Sequence, residues 1–507
     1  MFYIITSIVI ALVITLYCVL NYCVFKNNEK FKQITNKILK VAVVIYAVMM
    51  LLAVLLPDAF KLSFSQEKLA NETYPIGYEL TRWFCIVSFI TLPVAVFYNN
   101  RTIRNVAIYF GVAISIVQIY YYSQYLQDFT SMAGRGLNSI PVISQGFKEF
   151  LINPIFRSIC FGLVICLQIL IPVVLAVNDK HIFNFKNGKE YMYFFISLPF
   201  LILSSIPIYV PQHLFGYSSI LLYAYSLTHF GWIFLVVCEL IILYFLFRKQ
   251  SLDTKMVLLF ILSLSLIMQY LEMFSAISIN IERLPFQLCN LGAFFILISL
   301  ITKNRKLFNF TVIINVVGVI IAIAKPDFLG DGLFYLYNMH FIFEHTNVLI
   351  IPVLALSFGV FPRLDKKALF DCLLGFTIYF VCVLFLGTMF NFIATVTENN
   401  FWYANYLFMF NGNKAADLLG DWILALFTPV NIGRVVLYPI IQLIIYCVFL
   451  GICVLLFFGI QLIYKIKDKI VANKKTALES ETEQKLDWLL KIFNNKKVPT
   501  CVGIFCI

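Results

Sequence analysis

Long apolar runs alternate with short polar loops along most of the chain. Thirteen such runs fall near 2–25, 39–57, 79–97, 103–123, 156–177, 191–210, 228–247, 255–275, 286–302, 309–325, 345–361, 369–393 and 435–461. Nearly all hold about 17 to 25 residues, the length that crosses a bilayer as an α-helix. The pattern predicts an all-α, polytopic membrane protein of about thirteen transmembrane helices. Threading the chain back and forth places the loops 26–38, 98–102, 178–190, 248–254, 303–308, 362–368 and the tail after 461 on one side. These contain NNRTIRN, NDKHIFNFKNGKE, FRKQ, TKNRK and RLDKK, and the tail carries nine lysines between Tyr464 and Lys497. Lysine and arginine mark the cytoplasmic side, so the expected topology is N-out and C-in.

Composition narrows the class. Of 507 residues, 61% are hydrophobic and 13% charged, against roughly a quarter charged in soluble domains. The formal net charge of +12 sits in short loops and the tail, so it argues for topology and not for nucleic acid. Thirteen cysteines lie mostly inside apolar runs, with no zinc-type CxxC pairs. No disulfide framework, metal or cofactor is expected. The run Phe2–Val24 lacks a basic start and a small-residue cleavage site, and its lysines follow it. It reads as an uncleaved anchor. Abundant Phe, Ile, Asn and Lys suggest a bacterial, AT-rich source and hence a bacterial plasma (cell) membrane.

The chain repeats itself. Residues 80–116 align with 284–320 at an offset of 204: Leu80 meets Leu284, Cys85 meets Cys289, Asn100-Arg101 meets Asn304-Arg305, and Asn105 meets Asn309. Ile171-Pro172-Val173 resembles Ile351-Pro352-Val353 at an offset of 180. The expected organisation is an N-terminal anchor helix and basic loop (1–38), a degenerate first six-helix unit (39–254), a second six-helix unit (255–461) and a cytoplasmic basic tail (462–507). The two six-helix repeats would be parallel, related by an axis along the membrane normal. Leu486, Leu489, Leu490, Ile492 and Phe493 recur at helical spacing among the tail lysines. That segment reads equally as a helix on the inner leaflet or as a solvated charged tail.

Ionisable groups at membrane depth are costly, so each is a functional candidate. On the predicted outer side of the second unit, Glu272 ends one span, Cys289 starts the next, and Glu344 and His345 open a third. A histidine in reach turns a thiol into a nucleophilic thiolate, and a helix N-terminus stabilises it. Cys289 and His345 are therefore the candidate catalytic pair. Glu272 or Glu344 would orient the imidazole, and Gln287 and Asn290 would donate to an oxyanion. The polar, aromatic loop 394–428, with Asn405, Tyr406, Asp417 and Trp422, would cover the site. The bland alternative is that Cys289 only packs, the commoner role of a cysteine in such a run.

The stretches LPFQLCNL (284–291), TKNRKLFN (302–309), AKPDF (324–328), EHTNVLIIP (344–352), NYLFM (405–409) and DLLGDW (417–422) resemble the YwaF-like bacterial integral membrane family. That family is in turn distantly similar to animal transmembrane protein 164, a cysteine-dependent acyltransferase of ether phospholipids. The resemblance covers about 270–460 and implies Cys289 as nucleophile with His345 as its partner. Two departures stand out. The family has one unit where this chain shows two, and the first-unit position that matches His345 is Ile165. The first unit is therefore expected to be non-catalytic.

The leading expectation is a thiol-dependent membrane lipid acyltransferase or lipid hydrolase, acting near the outer leaflet through an acyl-cysteine intermediate. Its partners would be membrane phospholipids, with a lysolipid, a lipoprotein amine or water as acceptor. A transporter or lipid translocase is the alternative suggested by paired repeats, with polar intramembrane residues such as Gln269 and Asn315 as its sensitive positions. No nucleotide-binding GxxxxGK[ST] motif supports it. A non-enzymatic membrane scaffold using the long outer loops is the third.

Overall fold

The computed structural model describes residues 28–55, 76–98, 100–111, 144–178, 188–206, 210–216, 220–277, 281–326 and 328–495, with isolated positions before 22 and at 113. The first predicted span, and the span near 103–123 beyond residue 111, thus lie largely outside the described residues.

Helices dominate. In chain order the longer ones are α1 (Glu29–Leu55), α2 (Ile76–Phe97), α3 (Pro154–Asn178), α4 (Gly188–Ser204), α5 (Leu227–Phe247), α6 (Leu252–Ile277), α7 (Leu288–Thr302), α8 (Arg305–Ala324), α9 (Leu336–Ser357), α10 (Lys366–Thr397) and α11 (Pro439–Asn495). Among the described residues, seven helices are long and apolar enough to cross a membrane. They lie in α1, α5, α6, α8, α9, α10 and α11. The segment carrying Cys289, α7, is a shorter apolar helix. The molecule is a multi-pass helical membrane protein.

The outward faces show what the bundle is built to meet. On α5, Phe234, Leu235, Ile242 and Phe245 are exposed, and on α11 so are Leu443, Leu455, Phe458 and Leu462. A water-soluble helix turns such residues inward. Helices exposing them outward are solvated by lipid, where every backbone group must be paired within the helix.

Helix ends are set by local chemistry. α7 stops at Lys303, which takes a left-handed conformation (φ 54°). Asn304 then caps α8, accepting the Leu307 N–H at 3.2 Å. Asp365 caps α10, accepting the Ala368 N–H at 2.9 Å. Such side chains satisfy orphan donors in the first turn. Inside α8, Thr311–Asn315 form a π-helical turn.

Two short antiparallel ribbons join helix ends. β1 (Leu221–Tyr223) pairs with β2 (Leu329–Gly332), setting the start of α5 beside the start of α9. β3 (Val430–Ile432) and β4 (Val435–Leu437) form a hairpin before α11. α9 lies centrally, packing on α5, α6, α7 and α8. α11 runs 57 residues without a break to Asn495. A bilayer crossing takes about 20 residues, so the basic part continues the spanning helix away from the membrane.

Candidate functional site

The segment EHTN (344–347) puts four polar residues in a row on α9, and all four are buried. In a helix such a run faces every direction, so each side chain meets a different neighbour. The Glu344 carboxylate lies 3.1 Å from His340 Nε2, one turn earlier on the same helix. His345 Nδ1 lies 2.7 Å from the Phe341 carbonyl oxygen, and its ring packs on Phe341 at 4.0 Å between centroids. Thr346 Oγ1 accepts from Trp232 Nε1 on α5 at 2.9 Å. Asn347 donates to the Phe343 carbonyl at 2.9 Å.

These contacts settle one tautomer. A carbonyl oxygen only accepts, so His345 Nδ1 carries the proton in that hydrogen bond. In the neutral ring, Nε2 then holds the lone pair of a base.

Facing α9, helix α7 opens at Gln287 in extended conformation. Cys289 Sγ lies 3.4 Å from the Asn290 side-chain amide. That amide satisfies its neighbours when its nitrogen points at Glu344, 2.7 Å from Oε1 and 3.1 Å from Oε2. The nitrogen then is also the atom nearest the thiol. An unbroken line of polar contacts results, from Cys289 through Asn290 and Glu344 to His340, crossing from α7 to α9. Tyr270 of α6 borders it, with its ring 6.1 Å from His340 and its hydroxyl within reach of the Asn290 amide.

The thiol and His345 are not hydrogen-bonded to one another among the described residues. Both stand beside Glu344, which acts electrostatically on each. Gln287 does not turn toward the thiol. Its amide nitrogen donates to the Asn405 carbonyl and its oxygen accepts the Leu407 N–H, both at 3.3 Å. Glu272 lies on α6, but its side chain is outside the described residues.

The loop after α10 clasps this end of the bundle. Asn391 pairs with Ala404 through two hydrogen bonds, 2.8 and 3.0 Å. Asn405 accepts the Phe410 N–H at 3.0 Å. Tyr406 is fully buried, donates to the Ile281 carbonyl and packs edge-on against Phe286. Burial raises its phenol pKa, and Glu282 adds to the shift, so the hydroxyl stays a donor. Tyr379 of α10 donates to the Phe286 carbonyl at 2.8 Å. Leu407 and Phe408 take left-handed backbone conformations (φ 53° and 58°). Bulky residues enter that region at a cost of about 1–3 kcal/mol each, and the hydrogen bond from Leu407 to Gln287 helps hold them there. Trp422 is 64% exposed. Asp417 lies in the helix Gly412–Leu419, with its side chain outside the described residues.

His340, Tyr270, Trp232 and Tyr379 are absent from the sequence-based site. His340 carried a readable signal, since HFIFE places a histidine and a carboxylate four apart on one helical face. Among the described residues, no three of His, Cys, Asp and Glu gather as a metal site.

Comparison with known proteins ends at the same helices. No curated protein and no solved structure matches the chain. Residues 224–457, somewhat under half of the chain, match the TMEM164 family; the stretch starts before α5 and contains the whole line from Cys289 to His340.

Proposed function

We propose that the 224–457 stretch performs acyl transfer from a membrane phospholipid through a thioester on Cys289. The carrying observation is the line of polar contacts Cys289–Asn290–Glu344–His340 between α7 and α9, buried at Glu344 and His340. The match of this stretch to the TMEM164 family supports it, together with the acyltransferase activity that the resemblance of its motifs implies.

In this reading His345 Nε2 takes the thiol proton and Cys289 Sγ attacks the ester carbonyl carbon. The ester C–O bond breaks, and the departing lysolipid alkoxide takes the proton back. A lysolipid hydroxyl, a lipoprotein amine or water then attacks the thioester carbonyl, gives its proton to the imidazole, and the thiolate leaves. Glu344, beside both imidazoles, stabilises the transient imidazolium, as a carboxylate does in nucleophile–base–acid arrangements. Asn290 ties that carboxylate to the thiol.

The N-out, C-in topology belongs to the same proposal and places the site near the outer leaflet of a bacterial cell membrane. The two-unit organisation does too. Asn100 caps its helix through the Ile103 N–H at 3.2 Å, as Asn304 does through Leu307, 204 positions later. Arg101 pairs with Glu190 at 3.3 Å, and Arg305 pairs with Asp365 at 2.9 Å. Both facts support a common ancestry of the two units.

The test is transfer of a labelled acyl chain from phospholipid to lysolipid or water by the purified protein in mixed micelles. Activity in wild type, absent in Cys289→Ala and reduced more by His345→Ala than by His340→Ala, agrees with the proposal. Full activity in Cys289→Ala refutes it.

A further inference from the structure

Gln287 and Asn290 are both engaged, the first by the clasp loop and the second by Glu344. The chemistry proposed above still requires a donor for the carbonyl oxygen of the acyl group. One amide nearby has nothing to do. Asn315 is fully buried, and neither its nitrogen nor its oxygen has a hydrogen-bond partner among the described residues.

The fold goes out of its way to put it there. Asn315 closes the π-helical turn of α8, Thr311–Asn315. A π turn inserts an extra residue into a helix and occurs frequently at functional sites. The amide presses against Gly292 of α7, where a Cβ would collide with both the nitrogen and the carbon of the amide group. Glycine there is the condition for the close approach. Gly292 lies three residues after Cys289, one turn along the same helix, about 4.5 Å of rise. Leu288, on the same face of α7, meets Gly318 of α8 and holds the two helices together.

A buried amide without partners is a net loss in the resting protein. Three features (the π turn, the glycine and the unpartnered amide) converge one turn from the thiol. We propose that Asn315 is the oxyanion donor: its side-chain N–H binds the carbonyl oxygen of the acyl ester, and then of the thioester, as negative charge develops there. This rests on the acyl-transfer reading and deepens it. Asn315 then takes the oxyanion role expected from sequence for Gln287 and Asn290, which are engaged elsewhere.

The test uses the whole 507-residue chain in detergent with a phospholipid whose acyl carbonyl is ¹³C-labelled, with no lysolipid or amine acceptor added. Mass spectrometry follows acylation of Cys289, infrared spectroscopy reads the thioester carbonyl stretch, and thermal unfolding is measured in parallel. Asn315→Ala is expected to slow acylation about 100-fold, the usual effect of removing one oxyanion donor. It is expected to raise the thioester carbonyl frequency and to leave thermal stability equal or higher, because no native hydrogen bond is lost. Gly292→Ala, which displaces the amide without removing it, is expected to slow acylation in the same direction. Acylation at the wild-type rate in Asn315→Ala, or an unchanged carbonyl band, overturns this inference and leaves Cys289 catalysis standing. A fall in stability that parallels the loss of activity also overturns it, since that marks a packing role. Absence of any acyl group on wild-type Cys289 overturns both.

Discussion

The two ends of the α5–α11 bundle carry different mixes of interaction. At the Cys289 end the contacts are buried or part-buried: Glu344 with His340 and Asn290, Gln287 with Asn405 and Leu407, and Tyr379 with Phe286. At the lysine-rich end, part-buried contacts (Asn309 to Asp371, Gln461 to the Leu364 carbonyl) are joined by exposed ion pairs. Arg363 makes two hydrogen bonds to Asp468, at 2.8 and 2.9 Å, and Arg305 reaches Asp365 at 2.9 Å. Exposed pairs are solvated and screened, so each contributes little. Buried polar groups have no water to fall back on, so losing one partner strands the other. The difference shows where the fold is specified and where it is merely decorated.

The comparison breaks most severely at Glu344. Glu344→Ala strands His340 and Asn290 together and should lower stability by about 3 kcal/mol, read as a large drop in unfolding temperature in detergent, with loss of acyl transfer. Gln287→Ala comes next. It removes two hydrogen bonds to the clasp loop and should lower stability by about 1–2 kcal/mol. Hydrogen exchange should rise in residues 399–411, where Leu407 and Phe408 would leave their left-handed conformation. Trp232→Phe should have an effect of about 1 kcal/mol, from the single hydrogen bond to Thr346. At the other end, Arg363→Ala should leave the unfolding temperature within experimental error, and high salt should do the same in wild type. An Arg363 effect as large as that of Gln287 would abolish the contrast.

Acid should sharpen it slightly. The Ala368 N–H, and Arg305 after it, hold the Asp365 carboxyl below its ordinary value of 3.8. A depressed carboxylate stabilises the fold above its unfolded pKa, and that contribution fades as pH falls through the lower folded value. Between pH 7 and 5 the Asp365 cap should therefore leave unfolding unchanged, with loss confined to lower pH. Asp365→Asn should remove this acid dependence.

Much of the architecture is legible in the chain itself. Run lengths give helices, lysine-rich loops mark one end, and the polar stretch EHTN stands out because four polar residues have no ordinary place in a bilayer. Glu344 is conspicuous for the same reason, whereas Cys289 stands out only by its motif and by the histidine that opens a later span. His340 is hidden by context: in LYNMHFIFEH it reads as an interfacial residue until its partner four positions on is considered. The roles of Gln287 and Asn405 depend on a contact across 118 residues that no periodicity encodes. Asn315 is the hardest to read. Within IINVVGVII it looks like one polar residue in an apolar helix, and only the π turn and Gly292 reveal its isolation.

The central claim is a covalent acyl group on Cys289. Intact-protein mass spectrometry of wild type and Cys289→Ala, after incubation with mixed phospholipids and before and after neutral hydroxylamine, tests it most directly. The account predicts an acyl-sized mass increase on wild type that hydroxylamine removes and that Cys289→Ala never shows. An unmodified mass in both proteins, or the same increase in both, would contradict it.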